Sequence, residues 1–206
     1  MIVILDYHMG NHHSVKRKLD MLGVESMVSS VPEDLVKAEK IIMPGVGHFG
    51  KAMDKLRELD LIETLNHVVL HDKKPILGIC LGMQLMAKSS EECSEGNAGG
   101  LGWINGSVKR FQVSDPLRFK VPHIGWNTVT ASKESRLMAG IETGEEFYFV
   151  HSYYMHLDHP SEELTSTTYE LPFTSAVEKG NIYGVQFHPE KSHDIGMRLL
   201  KNFVDL

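Results

Sequence analysis

The first part of the chain opens with a short apolar run and continues with apolar residues at helical spacing. Residues 2–5 are apolar or β-branched, and Val15 and Leu19 lie four positions apart on one helical face. Asn11 stands where a helix N-cap is expected, and Gly23 follows the periodic stretch as a stop signal. This pattern predicts a strand followed by a helix.

The same alternation of strand and helix continues to about residue 90. We predict further strands at 24–29, 40–43 and 76–79, and helices after Pro32 and over 51–59 and 61–71. Strands that alternate with helices are typical of parallel sheets. The strand at 76–79 is apolar on both faces, which favours a central position.

After Gly99 the pattern changes to short alternating segments separated by Gly, Asn, Asp or Pro. Strands and hairpins are predicted at 103–111, 124–130, 147–153, 165–170, 174–178 and 182–187. Trp103 and Trp126 are expected to anchor these strands, and a last helix carries Ile195, Leu199, Phe203 and Leu206 on one face. We therefore predict one α/β domain over residues 1–206, with a mostly parallel central sheet flanked by helices and a smaller antiparallel sheet.

Composition and charge exclude several functional classes. The 206 residues are 42% hydrophobic and 23% charged, which is typical of a globular protein. A net charge of −6 gives no electrostatic basis for nucleic-acid binding. The longest uncharged apolar run, 75–87, has 13 residues, whereas a membrane helix needs roughly 20. Two cysteines and no secretory pattern predict the reducing cytoplasm.

The strongest chemical motif is the sequence Gly-Ile-Cys-Leu-Gly at 78–82, between a predicted strand and a helix. It has the spacing of a nucleophile elbow, with Cys80 in the central place. Glycines allow the sharp turn, and the helix N-terminus favours a thiolate there. The competing interpretation is a buried cysteine in an apolar junction.

A base for this cysteine is expected in the sequence GVQFHPE at 184–190. Pro189 favours an extended conformation at His188, and residues two apart on an extended chain project to the same side. His188 and Glu190 are therefore predicted to face one site, giving a Cys-His-Glu arrangement.

A glycine-rich turn follows the strand at 40–43, with the sequence PGVGHFG at 44–50. Its backbone N–H groups are suited to binding an anion or an oxyanion. A nucleotide phosphate is the weaker alternative, because the turn lacks the Lys-Ser/Thr ending and the G-x-G-x-x-G spacing.

In this order, PGVGHFG, GICLGMQ and GVQFHPEKS resemble the class I glutamine amidotransferases. Within them the sequence is most similar to the glutaminase subunits of imidazole glycerol phosphate synthase, through MIVILDYHMGN, KVPHIGWN and FYFVHSYY. The resemblance extends over the whole chain. It implies hydrolysis of glutamine to glutamate and ammonia without a metal or organic cofactor.

The resemblance also implies roles for individual residues. Cys80 matches the nucleophile, His188 the general acid/base and Glu190 the residue that orients His188. The residues that match positions at the glutamine and oxyanion sites are Gln84, Val46, Gly47, Leu81, His151, Ser152 and Tyr153. Those that match subunit-interface positions are Tyr148, Lys191 and Asn11. The resting conformation of the oxyanion turn is left open.

A glutaminase domain accounts for all 206 residues, so a separate chain is expected to consume the ammonia. In the resembled enzymes this partner is a cyclase of (β/α)₈ barrel fold, which forms a heterodimer with the glutaminase. It makes imidazole glycerol phosphate and an aminoimidazole carboxamide ribotide, within histidine biosynthesis.

Three alternatives remain open on sequence grounds. The first loop carries His8, His12 and His13, whereas the family usually has Gly at position 8 and an apolar residue at position 12. We interpret them as solvent or interface histidines rather than a metal site. They leave the partner undecided between the cyclase and a sugar amidotransferase of surface-polysaccharide synthesis. A silent regulatory subunit is disfavoured by the intact triad, and a peptidase or γ-glutamyl hydrolase by Gln84 with KVPHIGWN.

Overall fold

The structure of the protein, a computed structural model, describes residues 1–93 and 96–206. Strands and helices alternate in the first part of the chain, and strands dominate the second part. The strands in these ranges are β1 (Ile2–Leu5), β2 (Ser26–Ser29), β3 (Lys40–Gly45), β4 (Ile76–Cys80), β5 (Ser89–Ser90), β6 (Ala98–Gly99), β7 (Gly106–Arg110), β8 (His123–Thr128), β9 (Thr130–Ala131), β10 (Glu146–His151), β11 (Tyr153–Leu157), β12 (Glu163–Tyr169), β13 (Leu171–Lys179) and β14 (Ile182–Val185).

The helices follow the predicted positions closely. They are α1 (His12–Met21), α2 (Pro32–Lys37), α3 (Phe49–Glu58), α4 (Leu61–Asn66), α5 (Leu81–Gln84) and α6 (His193–Val204), with a π-helical turn at His67–His71 and 3₁₀ turns at Pro160–Glu162 and Pro189–Lys191. Across the described ranges, no helix is both long and apolar enough to span a bilayer.

One large sheet organises the molecule. The strand order begins β2-β1-β3-β4-β14, and these five strands are all parallel. The order continues through β13, β11 and β7, which add antiparallel pairs, while β8 and β10 form a separate antiparallel ribbon. The predicted fold class is therefore confirmed, with the detail that most strands after residue 99 extend the large sheet.

Two apolar layers cover the faces of the parallel strands, as the alternation along β1 requires. Ile2 and Ile4 belong to a core that includes residues of α1 and α6. Val3 and Leu5 point the other way, into a core shared with α2, α3 and α4. Successive side chains on a strand project to opposite faces, so one short apolar run supplies both layers.

The central strand β4 ends at Cys80, between the carboxyl ends of its two neighbouring strands. β4 is paired on one side with β3 and on the other with β14. In this register Gly45 lies beside Cys80, and Val185 beside Ile79. The turns that follow β3, β4 and β14 therefore meet at the carboxyl ends of the strands, which is where open α/β sheets bind their ligands.

Candidate active site

A pocket of about 350 Å³ opens where these turns meet. Cys80 and all seven residues predicted for the glutamine and oxyanion sites line this pocket. The full lining is Val46, Gly47, Cys80, Leu81, Gln84, Glu92, Pro122, Val150, His151, Ser152 and Tyr153. Residues from five separate parts of the sequence thus share one cavity.

Cys80 sits on a strained turn between β4 and α5. Its backbone has φ 55° and ψ −111°, in the region that non-glycine residues avoid. The flanking glycines make this turn sterically feasible, because a Cβ on Gly82 would lie 1.8 Å from the Met43 carbonyl oxygen and one on Gly78 would lie 2.7 Å from the Met83 nitrogen. The side chain of Cys80 is thereby presented at the pocket with only 6% of its surface exposed.

The helix after Cys80 is shorter than the elbow pattern suggests. α5 contains four residues, and the chain then continues in turns. A single turn adds little of the dipole that a longer helix provides. The predicted contribution of the helix dipole to the thiolate is therefore small, and nearby side chains have to supply the stabilisation.

His188 and Glu190 lie behind the pocket as a buried pair. His188 Nδ1 is 2.8 Å from Glu190 Oε1, and both side chains are 2% exposed. His188 itself is extended, as Pro189 requires, but the next residues form the 3₁₀ turn Pro189–Lys191. The two side chains therefore face each other because of this turn, whereas the sequence-based prediction had assumed an extended chain.

The electrostatics of His188 are dominated by its two neighbours. Burial lowers the pKa of an imidazole, but here the interactions with Cys80 and Glu190 outweigh it and raise the pKa of His188 to about 9. A carboxylate only accepts hydrogen bonds, so His188 Nδ1 carries the proton that Glu190 holds. His188 Nε2 is buried and has no hydrogen-bond partner in the described part of the chain. An imidazole in this state can exchange a proton with the adjacent thiol.

The turn that carries His188 is fixed to β10 and α6. The His188 amide donates to the Tyr148 carbonyl over 2.9 Å, and the Ser192 hydroxyl donates to the His188 carbonyl over 2.7 Å. A Cβ on Gly196 would lie 1.9 Å from the Pro189 carbonyl oxygen, so α6 packs directly on the turn. These contacts hold the imidazole in one place.

In the glycine-rich turn, the backbone amides predicted to bind an oxyanion are those of Val46 and Gly47, and the Val46 amide is not available for this. The Val46 N–H donates to the Met9 carbonyl over 3.0 Å, which leaves it unavailable to the pocket. Gly47 has φ 107°, a conformation that glycine adopts readily. Leu81, directly after Cys80, lines the pocket. The Val46 N–H would be free to donate into the pocket only after leaving the Met9 carbonyl.

Gln84 is committed to internal hydrogen bonds. Its side-chain nitrogen donates to the Tyr153 carbonyl over 3.0 Å and to Gln186 Oε1 over 2.9 Å. Both amide protons are therefore used inside the protein, and only the Gln84 oxygen is left to meet a substrate. If Gln84 binds glutamine as predicted, it can do so only by accepting a hydrogen bond at its side-chain oxygen.

His151 is likewise occupied at both ring nitrogens. Nδ1 lies 2.7 Å from the Tyr153 carbonyl, which can only accept, so this nitrogen carries the proton. Nε2 lies 3.0 Å from His123 Nδ1 and accepts from it, and His123 Nε2 lies 3.3 Å from the Asn127 amide. Burial lowers the pKa of His123 to about 4 and that of His151 to about 3. His151 shapes the pocket as a neutral ring.

Four residues at the site were missed by sequence reasoning. Glu92 brings the one carboxylate among the described lining residues, and Pro122 and Val150 complete the wall. Gln186 is fully buried, and its amide nitrogen lies 3.6 Å from Cys80 Sγ. Gln186 stands within the GVQFHPE motif, which was its only signal, while Glu92 lies in a polar stretch with no motif.

The predicted interface residues separate into two groups. Lys191 Nζ lies 5.7 Å above the Tyr148 ring, next to the turn that carries His188. Asn11 instead caps α1, where its side chain accepts the Ser14 N–H over 3.4 Å. Trp126, which was expected to anchor a strand, lies on β8, is 42% exposed and stacks on His193 with ring centroids 5.0 Å apart.

The residues that could hold a metal lie outside this pocket. In the described ranges one group qualifies, His67, His71 and Asp72 on the surface, with their ligand atoms within 4.8 Å of one another. In the first loop, His8 and His13 are exposed and His12 is half-buried. His8 has φ 64°, which explains why the family usually has glycine there.

Comparison with known proteins identifies the class of protein that this fold and site define. The family model for class-I glutamine amidotransferases matches residues 3–206. The chain belongs to this family, and it is therefore a glutamine amidotransferase. The predicted family and the predicted enzyme class are confirmed.

Individual relatives extend along the whole chain. It is 48% identical over 204 residues to imidazole glycerol phosphate synthase subunit HisH 2 of Methanococcus maripaludis, covering 99% of this chain and 98% of that protein. It is 46% identical to the HisH 2 subunit of Pseudomonas aeruginosa, covering 100% of both chains. The resemblance to this subfamily, predicted from three shared segments, is confirmed.

Solved structures support the fold. A crystal structure of a glutamine amidotransferase superposes with a TM-score of 0.76 at 20% identity, covering 100% of this chain and 98% of that one. A chain of PurLQS from Thermotoga maritima gives a TM-score of 0.73 at 16% identity, covering 99% and 97%. At these identities the likeness concerns the fold alone.

Proposed function

We propose that this chain is the glutaminase subunit of an imidazole glycerol phosphate synthase. In this proposal it hydrolyses glutamine to glutamate and ammonia and passes the ammonia to a separate cyclase subunit. The observation that carries the proposal is a pocket that brings the strained cysteine elbow together with the predicted glutamine residues, while the buried His188–Glu190 pair interacts with Cys80 from behind it. The names of the relatives supply the pathway.

The first half of the reaction uses Cys80 as the nucleophile. Its thiolate attacks the side-chain amide carbon of glutamine, and a carbon–sulfur bond forms while negative charge moves to the oxygen. The Leu81 N–H stabilises this oxyanion, joined by an amide of the glycine-rich turn once the Val46 peptide leaves the Met9 carbonyl. The carbon–nitrogen bond then breaks, and His188 gives its Nε2 proton to the departing nitrogen, so that ammonia and a thioester result.

The second half regenerates the enzyme. A water molecule attacks the thioester carbon while neutral His188 takes one of its protons. The carbon–sulfur bond breaks, glutamate leaves, and Cys80 returns as a thiolate beside protonated His188. Glu190 keeps the imidazole in one orientation throughout, because its carboxylate holds the proton on Nδ1.

Glu92 supplies the selectivity for an amino acid as substrate. It contributes the one carboxylate of the described pocket wall, and a free glutamine has a positive α-ammonium group. Glu92 is itself fixed, because one carboxylate oxygen accepts the Phe49 N–H over 2.8 Å. A charge-assisted hydrogen bond to this carboxylate favours free glutamine over a glutamine residue within a peptide.

The surface beside the catalytic turn fits a protein partner. Ile124 and Trp126 on β8 are 59% and 42% exposed, and Trp126 lies opposite Tyr148 in the β8–β10 ribbon. Exposed aromatic residues of this kind are typical centres of protein interfaces. The Tyr148 carbonyl also accepts the His188 N–H, so a partner bound here would lie next to a residue that holds the catalytic turn. The barrel fold of the partner and the heterodimer belong to this proposal.

Glutamate release from glutamine, measured on the purified chain with and without the cyclase and its ribonucleotide ligand, tests the proposal. We expect Cys80→Ser to lower kcat by roughly 10⁴-fold or more, since a poorer nucleophile replaces the thiolate. Cys93→Ser is the matched control, because it removes the other cysteine, and its activity should equal that of the unmodified chain.

The outcomes separate the alternatives. Stimulation by the liganded cyclase, absent in Cys80→Ser, would support the proposal. If the chain has glutaminase activity but the cyclase neither binds it nor stimulates it, the proposed pathway is overturned. A sugar amidotransferase would then be the partner to test. Steady cleavage of peptides or γ-glutamyl compounds, with no glutaminase activity, would overturn the proposed reaction.

A further inference from the structure

Gln186 lies against the nucleophile. It follows β14 and precedes the turn that carries His188, and its side chain is fully buried. Its Nε2 lies 3.6 Å from Cys80 Sγ, and its own amide donates to the Ser175 carbonyl of β13 over 2.8 Å. The mechanism above makes no use of this side chain.

The orientation of the Gln186 amide is determined by a chain of hydrogen bonds. The Tyr153 carbonyl can only accept, so the group of Gln84 that faces it at 3.0 Å has to be its NH₂. The same NH₂ lies 2.9 Å from the Gln186 side chain and needs an acceptor there, which is Oε1. The Gln186 NH₂ is therefore the group that faces the sulfur. The opposite orientation would break both hydrogen bonds.

We propose that Gln186 is a further catalytic residue, whose side-chain NH₂ donates a hydrogen bond to the Cys80 thiolate. This inference rests on the proposed function, because a stabilised thiolate matters when Cys80 is the nucleophile. A fixed donor favours the anion over the neutral thiol, and it also aims Sγ toward the pocket. It supplies stabilisation that the one-turn helix α5 provides only weakly.

Gln84 acquires a different role from the one that the sequence suggested. It spends both amide protons on Tyr153 and Gln186, so it acts as a positioning residue for the Gln186 amide. The chain of hydrogen bonds from Tyr153 through Gln84 and Gln186 ends on the sulfur of Cys80.

Three other titratable side chains lie near the Cys80 sulfur, and substitution of Gln186 does not change them. His188 faces Cys80 from the turn that follows β14. Tyr7, after β1, is fully buried, and burial, together with the nearby Cys80, raises the pKa of the Tyr7 hydroxyl. His151, from β10, is a neutral member of the same pocket. Variants of Gln186 leave these three in place.

The test is the rate of Cys80 alkylation by iodoacetamide as a function of pH, followed on the Cys80 peptide by mass spectrometry. In Gln186→Met, which removes the donor at nearly constant volume, the midpoint of the pH–rate curve should rise by about one to two pH units. In Gln186→Asn, whose shorter side chain holds the amide away from the sulfur, the midpoint should also rise. Gln112→Met, at an exposed glutamine, is the matched control and should keep the original midpoint.

Kinetics give a second readout. We expect kcat for glutamine to fall by about 10- to 100-fold in the Gln186 variants with little change in KM, because the donor acts on the nucleophile. Gln84→Met should raise the alkylation midpoint by itself but add nothing in the Gln186→Met background. Fully additive shifts would contradict the positioning role of Gln84.

The inference is overturned if the Gln186 variants, with melting temperatures near that of the unmodified chain, keep its alkylation midpoint. Alkylation needs no glutamine, so the result is independent of the proposed reaction. A raised midpoint in a chain that releases no glutamate would support the role of Gln186 as a donor while the proposed function fails.

Discussion

Three buried histidines at the site show how neighbours decide the effect of burial. Burial lowers the pKa of His123 to about 4 and that of His151 to about 3, because their partners are neutral groups. His188 is buried as well, yet Cys80 and Glu190 raise its pKa to about 9. One imidazole is thus kept ready to carry a proton, while the other two remain neutral structural rings.

The neutral pair should make the protein sensitive to acid. An unfolded chain protonates both histidines below about pH 6.5, whereas the folded chain resists protonation until about pH 4 for His123 and 3 for His151. Stability is therefore lost as the pH falls through this window, by up to a few kcal/mol. His123→Gln, which keeps a donor toward His151 and an acceptor toward Asn127, should reduce the loss in urea unfolding at pH 7, 5.5 and 4.5.

The control for this experiment is His13→Gln, at an exposed histidine. It should show the same loss of stability at low pH as the unmodified chain. If His123→Gln and His13→Gln follow one curve, the neutral histidine pair is not the origin of the acid sensitivity.

At the level of elements, the site depends on how closely β3, β4 and α5 approach. A Cβ on Gly45 would lie 2.2 Å from the Tyr7 hydroxyl, and one on Gly82 would lie 1.8 Å from the Met43 carbonyl oxygen. The sequence indicated the need for glycine at 78 and 82 through the elbow spacing. Gly45 was indicated as part of the glycine-rich turn at 44–50, but not for its close contacts. A Cβ there would also lie 2.8 Å from the Gly82 nitrogen, so the first loop and α5 both require glycine at this position.

Gly82→Ala is expected to push α5 away from β3. The clash is with backbone, which cannot move aside cheaply, so the free energy of unfolding should fall by about 1–3 kcal/mol. Glutaminase activity should fall with it, because Cys80 sits on the same turn. Thermal and urea unfolding provide the measurement.

Gly99→Ala is the matched control for this substitution. Among residues 1–93 and 96–206, apart from the chain neighbours of Gly99, no atom lies within 4 Å of a Cβ built there, so the change should leave stability within about 0.5 kcal/mol of the unmodified chain. If Gly82→Ala and Gly99→Ala lose equal amounts of unfolding free energy, the close approach of α5 to β3 is not the reason that position 82 requires glycine.

At the level of the whole molecule, the catalytic turn lies between the pocket and an exposed aromatic surface. Trp126, Tyr148, His193 and Lys191 form this surface, through a ring stack at 5.0 Å, an edge contact at 6.0 Å and a cation–π contact at 5.7 Å. The Ser192 hydroxyl, between two of them, donates to the His188 carbonyl. A partner on this surface is therefore able to influence the geometry of His188.

Trp126→Ala should weaken binding of the cyclase by about 10- to 100-fold, measured by isothermal titration calorimetry. Glutaminase activity of the isolated chain should be unchanged, since Trp126 does not line the pocket. Leu117→Ala is the control, because Leu117 is 88% exposed outside this surface and should not affect binding. Equal affinities for the two variants would show that the partner binds elsewhere.

The sequence predicted the elements and the motif residues well, for local reasons. Strand alternation, helical spacing, the cap at Asn11 and the glycine after α1 are encoded within a few residues, and the structure has each of them. The exposure of Trp126 was not predictable in this way, because an alternating segment does not say which of its faces is covered.

By itself the sequence determined the fold class, the family and the motif residues that line the pocket, because these depend on periodicity and on motifs of contiguous residues. It did not indicate Glu92, Pro122, Val150 or Gln186, which the tertiary structure adds to the site. The tertiary structure decided what each of those side chains is free to do. The Gln84 nitrogen is occupied by groups 69 and 102 residues away, and His151 Nε2 by a histidine 28 residues away. The Val46 amide is held by the first loop. Hydrogen bonds between distant segments fix donor and acceptor roles, and no local pattern contains that information.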